Sequence, residues 1–241
     1  MEYTRYFLDL LELDPQRYPV IAVVGGGGKT SLIYRLSEEL QSMGKKVIIS
    51  TTTHMLFDPD RPFARDGRPC EVEEKLDRYG CVTAASLDGE SGKITALPME
   101  QLESLVPLCD VMLVEADGSR QKPLKVPAKW EPAIPSFADI VISVVGLDCL
   151  GKPMKEVSHR AELTSAFLKK EMDAPVTEED VAKIVSSIHG LFKNVEKRVY
   201  RVYLNKADVL PDHKAAEKIV EKLSGDGLVA AYGSLKEAGP L

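Results

Sequence analysis

Val20-Ile21-Ala22-Val23-Val24-Gly25-Gly26-Gly27-Gly28-Lys29-Thr30-Ser31 runs from an apolar strand through four glycines to a lysine and a threonine, then into a helix-like segment. The stretch reads as a nucleotide phosphate-binding loop (P-loop). Gly25, Gly26, Gly27 and Gly28 let the backbone turn sharply and present N–H groups to phosphates. The Lys29 ammonium is placed to reach the β- and γ-phosphates. The Thr30 hydroxyl ligates Mg²⁺, and Ser31 opens a helix whose N-terminus adds positive potential. The standard spacing G-x-x-x-x-G-K-[ST] puts its first glycine at position 23, which is Val23 here. The loop is therefore expected to be shorter or differently bent than usual.

Working outward, apolar β-rich segments alternate with helical patterns. Val20–Val24 is followed by a helix from about Lys29 to Met43, then by Lys46–Ser50, Val111–Val114, Ile140–Val145, Val199–Leu204 and Leu228–Tyr232. Near-continuous apolar strands belong in a sheet covered on both faces. The alternation predicts an α/β fold of the P-loop NTPase type, with a doubly wound, mainly parallel sheet flanked by helices. Pro, Arg, Asp and Gly between about Asp58 and Pro69 mark a surface loop. Cys81–Ser86 and Lys93–Ala96 then flank Leu87-Asp88-Gly89-Glu90-Ser91-Gly92 as a small β-hairpin. Loop and hairpin together, about 58–97, read as an insertion in a single domain spanning 1–241. Thr177 caps a helix opened by Glu178, Glu179 and Asp180.

The 241 residues can bury a full core without staples. Cys70, Cys81, Cys109 and Cys149 are scattered, which argues against a zinc knuckle or redox dithiol and for reduced thiols in a cytoplasm. A net charge of −6 argues against general binding to nucleic acid or an anionic membrane. No apolar run approaches the roughly 20 residues of a membrane span. Tyr3, Phe7, Leu10 and Leu11 recur at helical spacing but Asp9 and Glu12 interrupt them, predicting an amphipathic covering helix and not a signal peptide.

Asp110-Val-Met-Leu-Val-Glu115-Ala-Asp117-Gly118 is an apolar strand with acids at its end, as expected of the segment that completes a Mg²⁺ site. Ligands of open α/β sheets bind at the carboxyl ends of strands, toward the crevice of Lys29. Glu115 and Asp117, two apart, share a face if the strand continues, one holding metal and the other orienting a nucleophile. Either one alone is equally explained as a cap of the following loop. Thr51-Thr52-Thr53-His54 follows the strand Lys46–Ser50. Thr51 fits strand extension, whereas Thr52 and Thr53 are candidates for the γ-phosphate or metal. His54 is a candidate base or an ordinary hydrogen-bonded loop histidine.

Asn205-Lys206-Ala207-Asp208 ends a strand, and Gly233-Ser234-Leu235-Lys236 follows the next. The pair resembles the guanine-specificity motifs of GTPases. That resemblance implies Asp208 accepting from the base, Asn205 fixing the loop, Lys206 lying along the ring and backbone near Ser234 completing recognition. It favours GTP over ATP.

A basic loop, Ser119-Arg120-Gln121-Lys122-Pro123-Leu124-Lys125, follows the acidic strand end, with Trp130 and Glu131-Pro132 nearby. In an acidic protein, Arg120, Lys122 and Lys125 point to a second anion or to stabilisation of transferred charge, and Arg120 is thereby a catalytic candidate. A solvated basic loop is the alternative. Ser158-His159-Arg160-Ala161-Glu162 opens a helix that adds His159 and Arg160 to the same candidate pocket.

Taken in order, VVGGGGKTS, TTTH, VEADGSR with Lys122-Pro123-Leu124-Lys125, EPAIP, SHRAE and NKAD resemble the YqeC-type family, accessory proteins of selenium-dependent molybdenum hydroxylases. The resemblance spans Val20 to about Asp208. It implies a P-loop nucleotide-binding protein in maturation of a labile selenium-containing molybdenum cofactor. The implied partners are the hydroxylase and the selenium and molybdenum cofactor maturation proteins. Two mechanisms stay open. In one, nucleotide hydrolysis drives a switch sensed by the Thr51–His54 and Glu115–Arg120 loops. In the other, a kinase- or ligase-like enzyme activates a small anionic substrate. A non-catalytic nucleotide-binding scaffold is a third possibility.

Overall fold

Strands as apolar as these need cover on both faces, and the helices supply it. The structure, a computed structural model, describes residues 6–89 and 92–236. Its elements in chain order are α1 (Tyr6–Leu10), β1 (Val20–Gly25), α2 (Lys29–Ser42), β2 (Val47–Thr51), β3 (His54–Leu56), β4 (Phe63–Arg65), α3 (Pro69–Tyr79), β5 (Cys81–Leu87), β6 (Lys93–Thr95) and α4 (Met99–Ser104). Then come β7 (Val111–Glu115), β8 (Leu124–Lys125), β9 (Ile140–Gly146), α5 (Met154–Val157), β10 (Ser158–His159), α6 (Ala161–Leu168), α7 (Glu178–Ser186), β11 (Val199–Asn205), α8 (Lys214–Gly225) and β12 (Val229–Tyr232).

Among the described residues, ten strands form one sheet in the order β12-β11-β9-β1-β7-β2-β5-β6-β3, with β4 beside β5. The run from β12 to β5 is parallel. Alternation along β1 sends Val20, Ala22 and Val24 to one core, and Ile21 and Val23 to the other. The first core is closed by α3, α7 and α8 through residues such as Leu76, Ile184 and Ile219. The second is closed by α2, through Leu32, Ile33, Leu36 and Leu40, and by Phe7 and Leu8 of α1. This is the doubly wound, mainly parallel α/β arrangement expected from the sequence. The chain leaves β1 through α2 for β2 on one side, while β9 flanks β1 on the other, so the β1 carboxyl end lies where open sheets hold ligands.

The expected hairpin is present, with β5 and β6 antiparallel and Ser86 opposite Thr95. It grows out of the main sheet, because β5 also runs parallel to β2 and β4. Glu90 and Ser91 of its loop lie outside the described residues, as does Tyr3 of the N-terminal helix. The stretch read as a loop from Asp58 carries β4, and α3 follows it. Three residues among prolines and charges give too little alternation to reveal a strand. The helix after Thr177 forms as expected, with Thr177 and Asp180 in a reciprocal capping box.

The covering helix α1 docks through one acid of α2. Glu39 accepts from Phe7 N at 2.9 Å and Leu8 N at 3.0 Å. Removing the carboxylate leaves two buried donors unpaired, so Glu39→Ala is expected to cost about 1–3 kcal/mol in denaturant unfolding. A loss below about 0.5 kcal/mol, typical of a surface site, contradicts this docking.

Candidate functional site

The glycine loop bends differently from the expected cradle, and its backbone bonds show how. Gly25 N donates to Asp117 Oδ2 at 2.9 Å, Gly26 N to the Val144 carbonyl at 2.8 Å and Gly27 N to the Lys122 carbonyl at 3.1 Å. The first three glycine N–H groups are thus committed to neighbouring loops and do not serve as the phosphate donors expected of them. Gly28 caps α2 without a side-chain partner. The N–H groups of Gly28, Lys29, Thr30 and Ser31 take no backbone acceptor among the described residues, the open first turn of a helix. A β-carbon on Gly26 meets the Lys122 carbonyl at 2.4 Å, and one on Gly28 meets Asn205 Nδ2 at 2.4 Å. Close approach of backbone at Gly26 and of the Asn205 side chain at Gly28 explains glycine at these positions.

A cleft of about 1280 Å³ opens over this turn. It is lined by Gly27, Gly28, Lys29, Thr30, Ser31, Thr52, Thr53, His54, Glu115, Arg120, His159, Arg160, Asn205, Lys206 and Ser234, so most of the predicted site residues converge. Thr30 Oγ1 donates to Glu115 Oε2 at 2.6 Å. Lys29 Nζ donates to the Gly25 carbonyl at 3.0 Å and sits 3.6 Å from Glu115 Oε1 and 3.3 Å from Asp117 Oδ1. Burial works against this ammonium, but Asp117 and Glu115 outweigh it and hold the Lys29 pKa above the ordinary lysine value. Burial pushes the Glu115 carboxyl up, against the pull of Lys29 and the Thr30 hydroxyl.

Several expected ligands lie elsewhere. Asp117 is 0 % exposed, 3.2 Å from Lys125 Nζ, and lies outside the cleft lining that holds Thr30 and Glu115, so it braces the site from beneath. β7 ends at Glu115, so strand alternation lapses before Asp117. Lys125 is also 0 % exposed. It is drawn inward by pairing of β8 with β10, which sets Lys125 beside His159, and bonds the Gly118 carbonyl at 2.6 Å and Glu131 at 2.9 Å. Lys122 donates to the Glu156 carbonyl and is not part of the cleft lining. Neither lysine faces an anion in the cleft.

Thr51 is buried, its hydroxyl on the Glu115 carbonyl, and Thr52 donates to the Ala133 carbonyl. The Thr53 hydroxyl is buried without a hydrogen bond and belongs to the cleft lining. His54 stands at the exposed rim, its Nε2 3.6 Å from Asp88. Asn205 donates to the Gly27 carbonyl at 2.7 Å and accepts from Leu235 N at 3.2 Å, tying the P-loop to the Gly233–Lys236 stretch. Lys206 pairs with Asp148 at 2.7 Å, and Asp208 is exposed outside the cleft lining.

Glu131, quoted above only as a neighbour of the basic loop, is an acid of the site. It accepts from Lys125, from Ala128 N at 3.1 Å and from Arg160 at 2.6 Å. Burial alone would raise its pKa, but Lys125, the Ala128 N–H and Arg160 outweigh that and hold it below the ordinary value. An acid that follows Arg120, Lys122, Lys125 and Lys129 in an acidic protein, at the head of the EPAIP segment, is the signal that could have found it.

For a Mg²⁺ ion the donor set fits. Thr30 and Glu115 offer hard oxygens side by side, and no cluster of three or more His, Cys, Asp or Glu exists among the described residues. One or two protein oxygens, completed by phosphate and water, is the usual Mg²⁺ arrangement.

Residues 21–162 match the family described as YqeC protein. The chain is 35% identical over 238 residues to the uncharacterized protein YqeC of Escherichia coli (strain K12), covering 95% of this chain and 92% of that protein. Among solved structures it is similar to the hydrogenase maturation factor HypB from Archaeoglobus fulgidus, at a TM-score of 0.39 and 13% identity over 92% of this chain and 84% of that one. So slight a likeness carries no argument about this chain.

Asp117 joins Lys29, Lys125 and the Gly25 N–H, so Asp117→Asn strips the charge that balances two buried ammoniums. The expected loss is about 3–5 kcal/mol in guanidinium unfolding, as for other broken buried pairs. A change under about 1 kcal/mol contradicts the bracing role.

Proposed function

The chain belongs to the YqeC family, and from the cleft over its P-loop we propose that it binds and hydrolyses a nucleoside triphosphate with Mg²⁺, GTP in preference to ATP. The observation that carries the reading is the open first turn of α2, which has no side-chain cap, with Lys29, Thr30 and Glu115 gathered at it. Four N–H groups without an acceptor among the described residues, beside an ammonium, suit a polyphosphate by their chemistry. Lys29 now rests on the Gly25 carbonyl beside Asp117 and Glu115, and phosphate oxygens offer it replacements. Thr30 and Glu115 would hold Mg²⁺, which supplies neutralisation of the β- and γ-phosphate charge. Thr53, with a buried hydroxyl lacking an acceptor, is the favoured γ-phosphate sensor of the Thr51–His54 loop.

The guanine preference is supported by the way Asn205 joins the P-loop to the stretch around Ser234. That contact brings the NKAD and Ser-Leu-Lys motifs to one edge of the cleft. Asp208, at the exposed start of the following turn, is free to meet a base entering there. The pathway is the one implied by the order of motifs: maturation of a selenium-containing molybdenum hydroxylase, with hydrolysis switching an interaction with a maturation partner.

Calorimetric titration of the purified chain with GTP and ATP in Mg²⁺ tests the reading. Lys29→Ala is expected to abolish binding. Thr30→Ala, which removes one hydroxyl and leaves the buried charges in place, is expected to weaken Mg²⁺-dependent binding at least about tenfold, the loss of roughly 1.4 kcal/mol. Unchanged binding in the Thr30 variant refutes the site. Asp208→Asn is expected to move preference from GTP toward xanthosine triphosphate with unfolding unchanged; retained GTP selectivity refutes the base assignment.

A further inference from the structure

The same cleft is also lined by Arg120, Trp130, His159 and Arg160. Two of these side chains have no structural employment. Arg120 is exposed at a left-handed turn, φ 47°, with no hydrogen bond or ion pair among the described residues. His159 is 8 % exposed, and its ring makes no hydrogen bond among the described residues while forming part of the cleft wall. A ring at the cleft wall with no protein partner keeps its nitrogens available to a ligand that enters the cleft. Arg160 is held in place from two sides, by Glu131 at 2.6 Å and by the Trp130 ring with its guanidinium carbon 5.5 Å from the centroid. That anchoring fixes a guanidinium beside the imidazole, and it uses only part of the donor fork.

We propose that Arg120, His159 and Arg160 form a second anion subsite, separate from the nucleotide phosphates, for a small substrate bearing a phosphate or carboxylate group. The inference deepens the nucleotide reading and rests on it for the neighbouring phosphate end. It also revises the composition of the pocket: the basic side chains that serve are Arg120 and Arg160, whereas Lys122 and Lys125 are engaged elsewhere. Burial and then the nearby Arg160, Lys125 and Arg120 charges depress the His159 pKa, against the opposing pull of Glu131. The imidazole is accordingly neutral at neutral pH, so it donates one N–H without adding a charge that needs balancing. A bound oxyanion favours the protonated ring and draws this pKa back up.

Trp130 is the single tryptophan of the chain, and it is 74 % exposed in the cleft wall, so emission from the whole protein reports on this subsite. The full chain is saturated with Mg²⁺ and a non-hydrolysable GTP analogue, then titrated with inorganic phosphate or, in a second arm, malonate. A saturable change in Trp130 emission, with an upward move of the His159 pKa followed by proton NMR, supports the subsite. The stronger arm identifies the anion class. Arg120→Ala breaks no contact and is expected to weaken the response at least about tenfold, as is Arg160→Gln, while Lys122→Ala keeps it within about twofold. Silence from both anions overturns the proposal, as does an unaltered response in Arg120→Ala. A response that the bound analogue abolishes also overturns it, because the anion then enters only the nucleotide phosphate end. Should the analogue itself fail to bind, an arginine-dependent response in the free chain keeps the subsite and overturns the nucleotide reading alone.

Discussion

A buried carboxylate underneath the glycine loop holds this site together. Asp117 accepts from Gly25 N and lies between two ammoniums, Lys29 at 3.3 Å and Lys125 at 3.2 Å. Isolated, a carboxylate with no exposure would be far too costly to keep ionised. Surrounded by two cations and a backbone donor it becomes a fixed counter-charge, and the loop geometry follows from it. The glycines close on the Val144 and Lys122 carbonyls, and the next four N–H groups are left facing the cleft. Removing a charge from such an arrangement costs more than the arrangement itself contributes.

The same counter-charge links the two ends of the cleft. From Lys29 the contacts pass through Asp117 to Lys125, then to Glu131 and on to Arg160. Cations and acids alternate along the chain of contacts, Lys29, Lys125 and Arg160 against Asp117 and Glu131, with Glu115 completing the balance beside Lys29. Bringing it together requires the parallel sheet, which sets β1 and β7 side by side with Val23 opposite Glu115. It also requires the two-residue pairing of β8 with β10 that sets Lys125 beside His159. Any rearrangement of Lys29 therefore changes the field felt at Glu131 and Arg160.

How much of this was legible in the sequence depended on how local each cause was. Lys29, Thr30 and Glu115 lie where strand-end chemistry puts them, because apolar periodicity fixes β1 and β7 and the last residue of each must emerge at the carboxyl edge. Asn205 was legible for the same reason. Asp117 was misplaced because alternation assumes that a strand goes on, and β7 stops at Glu115. Lys125, expected to meet a second anion, lies inside because β8 pairs with the distant Ser158–His159, and a two-residue strand has no period to detect. Glu131 opens the EPAIP segment, but nothing local marks its role, which comes from the cations that folding gathers around it.

The most direct test is a crystal structure of the chain with Mg²⁺ and a non-hydrolysable GTP analogue. The account predicts the triphosphate against the N–H groups of Gly28 to Ser31, with the Lys29 ammonium moved from Asp117 onto phosphate oxygens and Thr30 with Glu115 at the metal. A nucleotide seated elsewhere, with Lys29 still resting on Asp117, contradicts it.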